Sequence, residues 1–328
     1  MSWTAFGLFG VASAFGLVAG FNDGGSLLAS FTSGRVISPR LAVVLLLAVP
    51  LGPLVVGTAV AQTIGVSIVD LPALGARAFV GIVGVSILVV LASWALRVPT
   101  SMTLALVGAM VGWALGAGDH VQWRGVARVL VGIPLSVIGG GVLALVLYRL
   151  VRVLLGNQAH ERMLVLARLQ IASAAFQAFA YGANDMAKTI GLISVARTLT
   201  DGGRPIDFHD AVPIAVAFGS FALGATVGGW RLARRIGFGI YRVRPVAAMA
   251  EQFAAGAVVA ALAVAGAPVS STQTINGGLV GVGAAVRASA IRWGVVREMA
   301  ASWFVTLPLA FVMAGLVRFA LSVAGASR

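Results

Sequence analysis

Long apolar runs, separated by short polar or basic stretches, make up most of the chain. Residues 41–62 contain no charged side chain, and residues 246–267 contain only Glu251. Each run is about 20 residues long, which is the length that an α-helix needs to cross the hydrocarbon core of a bilayer. The pattern therefore predicts a chain with several membrane-spanning helices.

Hydropathy predicts about ten membrane segments, and no long linker or low-complexity tract interrupts their succession. The predicted fold is an all-α polytopic membrane protein with one membrane domain. A re-entrant hairpin in place of one crossing would change the side on which every later loop lies. The ten predicted segments are 3–34, 41–62, 79–96, 99–116, 126–148, 169–196, 211–230, 246–266, 268–285 and 299–323.

The amino-acid composition supports the same fold class. Of the 328 residues, 59% are hydrophobic and 10% are charged, whereas soluble domains carry about 25% charged residues. The chain has no cysteine and only three scattered histidines, so disulfides, thiolate metal sites and histidine clusters are excluded. We therefore expect no resident cofactor, and redox or metalloenzyme functions lose their support.

The net charge of +13 arises from 23 basic residues, of which only Lys188 is not an arginine, against 10 acidic ones. Such an excess would suggest nucleic-acid binding in a soluble chain, but here the arginines gather in short loops between apolar segments. Membrane topology explains this pattern, because cytoplasmic loops are enriched in basic residues. If all ten segments cross, the Arg-rich loops lie in the cytoplasm and both termini lie outside the cell membrane.

Three polar motifs occur twice in the same order, at offsets of 162, 167 and 169 residues. A duplicated unit explains this order more simply than three coincidences. With about five crossings per copy, an odd number, the second copy begins on the other side of the membrane, which predicts two inverted repeats. The predicted halves are residues 1–156 and 157–328, with the boundary near Asn157. The pairs are GFNDGG (20–25) with YGANDM (181–186), GTAV (57–60) with GATV (224–227), and PTSMT (99–103) with PVSST (268–272).

Each copy carries an Asn-Asp pair inside an apolar stretch, Asn22-Asp23 and Asn184-Asp185. Burying an aspartate in a membrane costs about 2.5–3.5 kcal/mol on insertion scales. A bound cation would offset this cost, because carboxylate, carboxamide and the backbone carbonyls freed by flanking glycines all supply oxygen ligands. The alternative is a helix-breaking turn at the interface, in which these side chains are solvated.

The two proline motifs, PTSMT and PVSSTQT, each begin an apolar, glycine-rich segment. Proline near a helix start leaves the next backbone amides free, and the hydroxyls beside them add donors. Two such helix starts, each in a helical hairpin, could converge on one tetrahedral anion. The alternative is that each serine or threonine bonds a carbonyl one turn back in its own helix.

Two further charged residues lie inside or near the apolar segments. Lys188 follows Asp185 by three residues and shares its face if the stretch is helical. Its ammonium then neutralises Asp185, contacts the anion or reaches out to the membrane interface. Glu251 follows Arg244 by seven residues, and it is either a coupling carboxylate or an interfacial residue that reaches the loop arginines.

The motifs FNDGG, GTAVAQTIG, PTSMT, GANDMAKTIG and PVSSTQT together resemble the inorganic phosphate transporter (Pit) family, in its bacterial branch. The resemblance covers nearly the whole chain. It implies inverted repeats whose helical hairpins meet at a central site, and phosphate uptake coupled to sodium or protons. Where the family has a histidine after the hydroxyl run, this chain has Leu104 and Gln273, and Met102 replaces a hydroxyl residue.

The resemblance also implies roles for single residues. Asp23 and Asp185 hold the coupling cation, sodium if the transporter is sodium-coupled, together with Asn22 and Asn184. Glu251 matches a family glutamate and is a further cation-coupling candidate. The candidate substrate-binding residues are Ser101, Thr103, Ser270, Ser271, Thr272, Gln273 and Lys188, with Asn22 and Asn184 framing the anion.

The function that we predict is secondary active transport of inorganic phosphate with sodium or protons, by alternating access of two halves. Sulfate or another oxyanion is the alternative substrate within the same fold. A passive anion channel would need basic rings in its pore, and a lipid-phosphate enzyme would need an acid-base or metal constellation at one interface. The expected partners are inorganic phosphate and the lipid bilayer, with a second copy in a homodimer as a candidate and no nucleic acid.

Overall fold

The computed structural model describes residues 3–96, 100–155, 163–202, 206–231, 233–234 and 244–325. Within these ranges the chain forms helices joined by short turns, which confirms the all-α class. The first eight helices are α1 (Trp3–Ala19), α2 (Gly25–Ser33), α3 (Pro39–Leu45), α4 (Leu51–Val56), α5 (Ala59–Gln62), α6 (Leu71–Ala95), α7 (Met102–Ala117) and α8 (Trp123–Leu155). They are followed by α9 (Met163–Tyr181), α10 (Ala187–Thr200), α11 (Ala211–Val227), α12 (Pro245–Val264), α13 (Ser271–Arg287) and α14 (Trp293–Val323).

Short segments of different helical geometry lie between some of these helices. Single π-helical turns cover Gly20–Gly24, Thr63–Ser67 and Gly182–Met186. Two of them join α1 to α2 and α9 to α10, so that each pair of helices forms one long continuous run. Single 3₁₀ turns cover Leu46–Ala48 and Ala288–Ala290.

Within the described residues, seven helical stretches are long and apolar enough to cross a bilayer. The helices α7 and α11 are apolar but shorter, and α13 is the tenth stretch. Each of the ten predicted segments overlaps one of these helices, and the protein is a multi-pass membrane protein. The seven long stretches are Thr4–Ser33, Pro39–Val56, Leu71–Ala95, Trp123–Leu154, Leu164–Thr200, Pro245–Val264 and Trp293–Val323.

Large apolar side chains cover the outside of the helix bundle, while many polar side chains lie inside it. Phe304, Val131 and Ile138 are 81%, 66% and 64% exposed. A water-soluble protein would bury such residues, whereas hydrocarbon solvates them without cost. The buried polar side chains concentrate around the two Asn-Asp pairs and the starts of α7 and α13.

Glycines bring the backbones of neighbouring helices into direct contact at several places, two of which lie at or next to the π turns of the Asn-Asp pairs. A Cβ atom on Gly224 of α11 would lie 1.9 Å from the Leu17 carbonyl oxygen, and one on Gly182 would lie 1.8 Å from the Val49 carbonyl oxygen. Opposite Gly182 the chain places Gly52, not Gly57. The sequence pairing of GTAV with GATV is therefore shifted, because the contacts match Gly52 with Gly224.

Two helices begin inside the protein. α7 starts directly after the buried residues Thr100 and Ser101 in the sequence, and α13 starts directly after the buried Ser270. α7 packs against α6 and α13 against α12, as in the predicted hairpins. With 16 and 17 residues each is about 25 Å long, less than the ~30 Å hydrocarbon core. Pro99 and the predicted boundary at Asn157 lie outside the described residues.

Candidate functional site

Both Asn-Asp pairs lie on π-helical turns in the middle of long helical runs. A π turn adds one residue to a helical turn and is often found at functional sites. The sequence had suggested that the flanking glycines break the helix. Instead the helix continues through one wider, π-helical turn at each pair. Asn22, Asp23, Asn184 and Asp185 are at most 3% exposed, so the alternative of solvated residues at an interface is wrong.

The first Asn-Asp pair forms a polar cluster with both hairpins, which we call the Asp23 cluster: Asn22, Asp23, Ser26, Thr100 and Thr272. Asn22 Nδ2 donates to Asp23 Oδ1 at 2.7 Å and to the Thr100 carbonyl oxygen at 2.9 Å. Thr272 Oγ1 donates to Asp23 Oδ1 at 3.0 Å and lies 2.9 Å from Ser26 Oγ. Four residues from α2, the first π turn and both hairpins are therefore linked by hydrogen bonds to the Asp23 carboxylate, directly or through one neighbour.

The second pair forms the Asp185 cluster, which consists of Asn184, Asp185, Lys188, Thr103 and Val269. Asn184 Nδ2 donates to Asp185 Oδ1 at 2.8 Å and to the Val269 carbonyl oxygen at 3.0 Å. Asn184 Oδ1 accepts from the Val269 backbone N–H at 3.0 Å. Asn22 therefore binds the backbone just before α7, through the Thr100 carbonyl, and Asn184 binds the backbone just before α13, through the Val269 carbonyl.

Lys188 lies inside the Asp185 cluster and is 2% exposed. Its ammonium is 2.8 Å from Asp185 Oδ1, and it donates to Thr103 Oγ1 at 2.7 Å and to the Val269 carbonyl oxygen at 3.1 Å. An ammonium has three protons, so three acceptors satisfy it. Of the three roles considered for Lys188, neutralising Asp185 matches this geometry, and reaching the membrane interface is wrong.

Hydroxyl groups at the hairpin starts cross from one half to the other. Thr103 belongs to the first hairpin but joins the Asp185 cluster, and Thr272 belongs to the second hairpin but joins the Asp23 cluster. Ser271 Oγ accepts from Asn184 Nδ2 at 3.0 Å. The two clusters therefore form one buried centre in which each half supplies groups to the other.

Several polar atoms at this centre have no hydrogen-bond partner among the described residues. They are Asp185 Oδ2, Ser270 Oγ and Gln273 Nε2. Buried polar groups are nearly always satisfied, so unpaired ones indicate positions where a ligand, an ion or water binds. Ser101 differs from Ser270, because its Oγ accepts from the Leu104 backbone N–H at 3.1 Å.

Glu251 occupies a separate buried polar group next to the centre. It is 0% exposed, so its alternative as an interfacial residue is wrong. Ser30 Oγ donates to Glu251 Oε2 at 2.6 Å, and Gln177 Nε2 donates to Oε1 at 3.1 Å. Ser30 is one helical turn beyond Ser26 on α2, so the polar stripe that starts at the Asp23 cluster continues to Glu251.

Sequence reasoning missed Ser26, Ser30, Thr100 and Gln177. A signal was present for the two serines, because they follow Asn22 at intervals of four residues and thus lie on one helix face. Gln177 gave no signal, since its role depends on the packing of α9 against α12 and α2.

Comparison with known proteins assigns the chain to a family. The model of the phosphate transporter family matches residues 19–314. The chain belongs to the phosphate transporter family. Its members are transporters, not enzymes, and the match spans both clusters and both hairpins.

Curated relatives of this transporter match it over nearly their whole length. The "Probable low-affinity inorganic phosphate transporter" of Rhizobium meliloti (strain 1021) is 32% identical over 96% of this chain and 95% of its own. The protein of the same name from Bacillus subtilis (strain 168) is 29% identical, with 95% of each chain covered.

A solved structure shares the fold. The structure titled "The sodium-dependent phosphate transporter" superposes with a TM-score of 0.86, covering 98% of this chain and 100% of the other at 18% sequence identity. The likeness establishes that this transporter has the same helical architecture as that protein.

Proposed function

We propose that the protein is a secondary active transporter of inorganic phosphate in the cell membrane, coupled to sodium or protons by alternating access. The observation that carries the proposal is the buried centre, where two Asn-Asp pairs meet two helix starts. In the same proposal the Arg-rich loops face the cytoplasm and both termini face outside, and a homodimer stays a prediction. The names of the curated relatives support phosphate as the substrate.

The Asp23 cluster is the proposed binding site for the coupling cation. Asp23 is buried and has no basic side chain within ion-pair distance among the described residues. Around it lie the Asn22 side chain, the hydroxyls of Ser26 and Thr272 and the carbonyl of Thr100, all hard oxygen donors except the amide nitrogen. Such a donor set suits sodium, and protonation of the carboxylate would remove the buried charge equally well.

The start of α13 is the proposed binding site for phosphate. Ser270 does not cap this helix with its side chain, so the backbone amides of the first turn lack that partner. The unpaired Ser270 Oγ and Gln273 Nε2 add donors, and the helix dipole favours an anion at this end. Ser271 and Thr272 lie in the same turn and border both Asn-Asp pairs.

The carboxylates support phosphate rather than sulfate as the proposed substrate. Phosphate at pH 7 carries one or two O–H donors, whereas sulfate has only acceptors. An ionised aspartate near the anion accepts from a phosphate O–H but repels sulfate without compensation, and such unpaired contacts discriminate strongly. Asp185 Oδ2, which is buried without a partner, is the acceptor best placed for this role.

The closed state of the centre supports the proposal of alternating access. The candidate site residues are at most 3% exposed, so neither side of the membrane has access in this conformation. Opening requires the contacts that cross between halves to separate, namely Thr103 with Lys188 and Thr272 with Asp23. An inverted repeat provides two related ways to do so, one towards each side.

Glu251 is a further candidate for coupling, as a carboxyl that takes up a proton. Ser30 and Gln177 satisfy both of its oxygens, and no basic side chain among the described residues pairs with it. The polar stripe along α2 connects it to the Asp23 cluster through Ser26 and Ser30.

Uptake into proteoliposomes tests the proposed function. We expect radiolabelled phosphate to accumulate above its outside concentration when an inward sodium or proton gradient is imposed, and Asp23→Asn to abolish accumulation. Equilibration without accumulation would establish a passive channel instead. Accumulation of labelled sulfate at the same rate would make the protein a general oxyanion transporter.

A further inference from the structure

The two clusters are equivalent in position but differ in charge. The offset of 162 that pairs Asn22 with Asn184 also pairs Ser26 with Lys188. The offset of 169 between the hairpins pairs Thr103 with Thr272. The contacts follow the same rule, because Ser26 meets Thr272 at 2.9 Å and Lys188 meets Thr103 at 2.7 Å.

The asparagine contacts to the hairpin carbonyls also correspond. Asn22 bonds the carbonyl of Thr100 and Asn184 bonds the carbonyl of Val269, at 2.9 and 3.0 Å, and these carbonyls are again 169 residues apart. The clusters differ in charge at positions 26 and 188, which place a hydroxyl in one cluster and an ammonium in the other.

The ammonium of Lys188 occupies the centre of an oxygen cage. Its three neighbours are a carboxylate, a hydroxyl and a backbone carbonyl, at 2.8, 2.7 and 3.1 Å. The Asp23 cluster contains the same types of ligand, but none of its residues carries a positive charge. Carboxylate and carbonyl oxygens bind hard metal cations, and a protonated amine satisfies them through hydrogen bonds instead.

We propose that the Lys188 ammonium is a built-in replacement for a coupling cation in the second half, so that only the Asp23 cluster takes up an exchangeable cation. The inference rests on the proposed function in treating the Asn-Asp pairs as cation sites. It sets the stoichiometry: two equivalent clusters provide one exchangeable cation, not two. Lys188 acts as a positioning residue that holds Asp185, Thr103 and Val269 together in the way that a bound ion would.

Replacing Lys188 by the residue at the equivalent position tests the inference. Lys188→Ser gives the second cluster the hydroxyl of the first and removes its tethered charge. Equilibrium binding of radioactive sodium to purified protein is measured for wild type, Lys188→Ser, Asp23→Asn and the double variant. We expect Lys188→Ser to bind one sodium ion more than wild type, and the double variant to keep that additional ion.

Equal sodium binding by wild type and Lys188→Ser would overturn the inference, as would two sodium ions bound to wild type. Size-exclusion chromatography shows whether Lys188→Ser is folded. If it is not, the sodium binding of wild type and of Asp23→Asn decides between the outcomes. One ion bound to wild type and none to Asp23→Asn supports the inference, and an ion retained by Asp23→Asn overturns it. Phosphate uptake by wild type is measured separately, so that its absence would refute the proposed function without affecting the sodium count.

Discussion

The starts of α7 and α13 occupy corresponding places in the two predicted halves but use their hydroxyls differently. Ser101 caps α7 by accepting from the Leu104 backbone N–H at 3.1 Å, whereas Ser270 does not cap α13 and its Oγ has no partner among the described residues. The first helix start has thus satisfied one of its free amides internally, while the second retains donors for a ligand. Two copies of one motif can thus have different roles, with the first stabilising its helix and the second proposed to bind the anion.

The two Asn-Asp pairs also differ, because Asp185 is paired with Lys188 whereas Asp23 has no basic partner among the described residues. Variants of these aspartates are expected to show the largest effects. Asp23→Asn and Asp185→Asn should each lower gradient-driven uptake by about 100-fold or more, since the charge partner of the cation or of Lys188 is lost. Only Asp185→Asn should also destabilise the protein, because it leaves a buried ammonium unpaired at a cost of about 3–5 kcal/mol.

Thermal unfolding in detergent separates the two aspartate variants. The double variant Asp185→Asn, Lys188→Met should recover much of the stability that Asp185→Asn loses, since no unpaired charge remains. Equal unfolding temperatures for Asp23→Asn and Asp185→Asn would show that the ion pair does not distinguish the clusters.

A substitution at the contact between α11 and α1 should have the next largest effect. Gly224→Ala should destabilise the protein by about 1–3 kcal/mol through overpacking, because its Cβ would lie 1.9 Å from the Leu17 carbonyl oxygen. Gly10→Ala is the matched control, since this helical glycine has no atom within 4 Å of an added Cβ. A Gly224→Ala protein as stable as Gly10→Ala would contradict the close approach.

Much of this centre could be predicted from the sequence, for physical reasons that differ between residues. A carboxylate in an apolar stretch such as Asp23 is expensive enough to require a function, so the pattern alone marks it. Thr100 gave no such signal, because it contributes a backbone carbonyl that any residue would supply. The match of Gly52 with Gly224 could not be predicted either, since it depends on which glycines the packing of helices brings together rather than on the similarity of GTAV and GATV.

The two hairpin serines are expected to separate binding from stability. Ser270→Ala should raise the KM for phosphate about tenfold, the equivalent of one hydrogen bond to a charged ligand, with little change in stability because its Oγ has no protein partner. Ser101→Ala should instead cost about 1 kcal/mol of stability, as the loss of a helix cap does. Kinetics of uptake and thermal unfolding measure both, and a larger KM effect for Ser101→Ala would reverse the assignment of the hairpins.

Competition by sulfate should produce the smallest effect. Sulfate has the size and shape of phosphate, so the donors at the start of α13 alone would accept it as readily. The difference lies with the acceptors, because Asp185 Oδ2 is buried without a partner among the described residues and a sulfate oxygen offers it no proton. We therefore expect excess unlabelled sulfate to lower phosphate uptake less than about twofold, whereas unlabelled phosphate suppresses it almost completely. Ser270→Ala should weaken phosphate binding without admitting sulfate, since the rejection arises from the carboxylate and not from the hydroxyl. If sulfate competes as well as phosphate does, the carboxylates do not select the anion, and the helix start of α13 is a general oxyanion site.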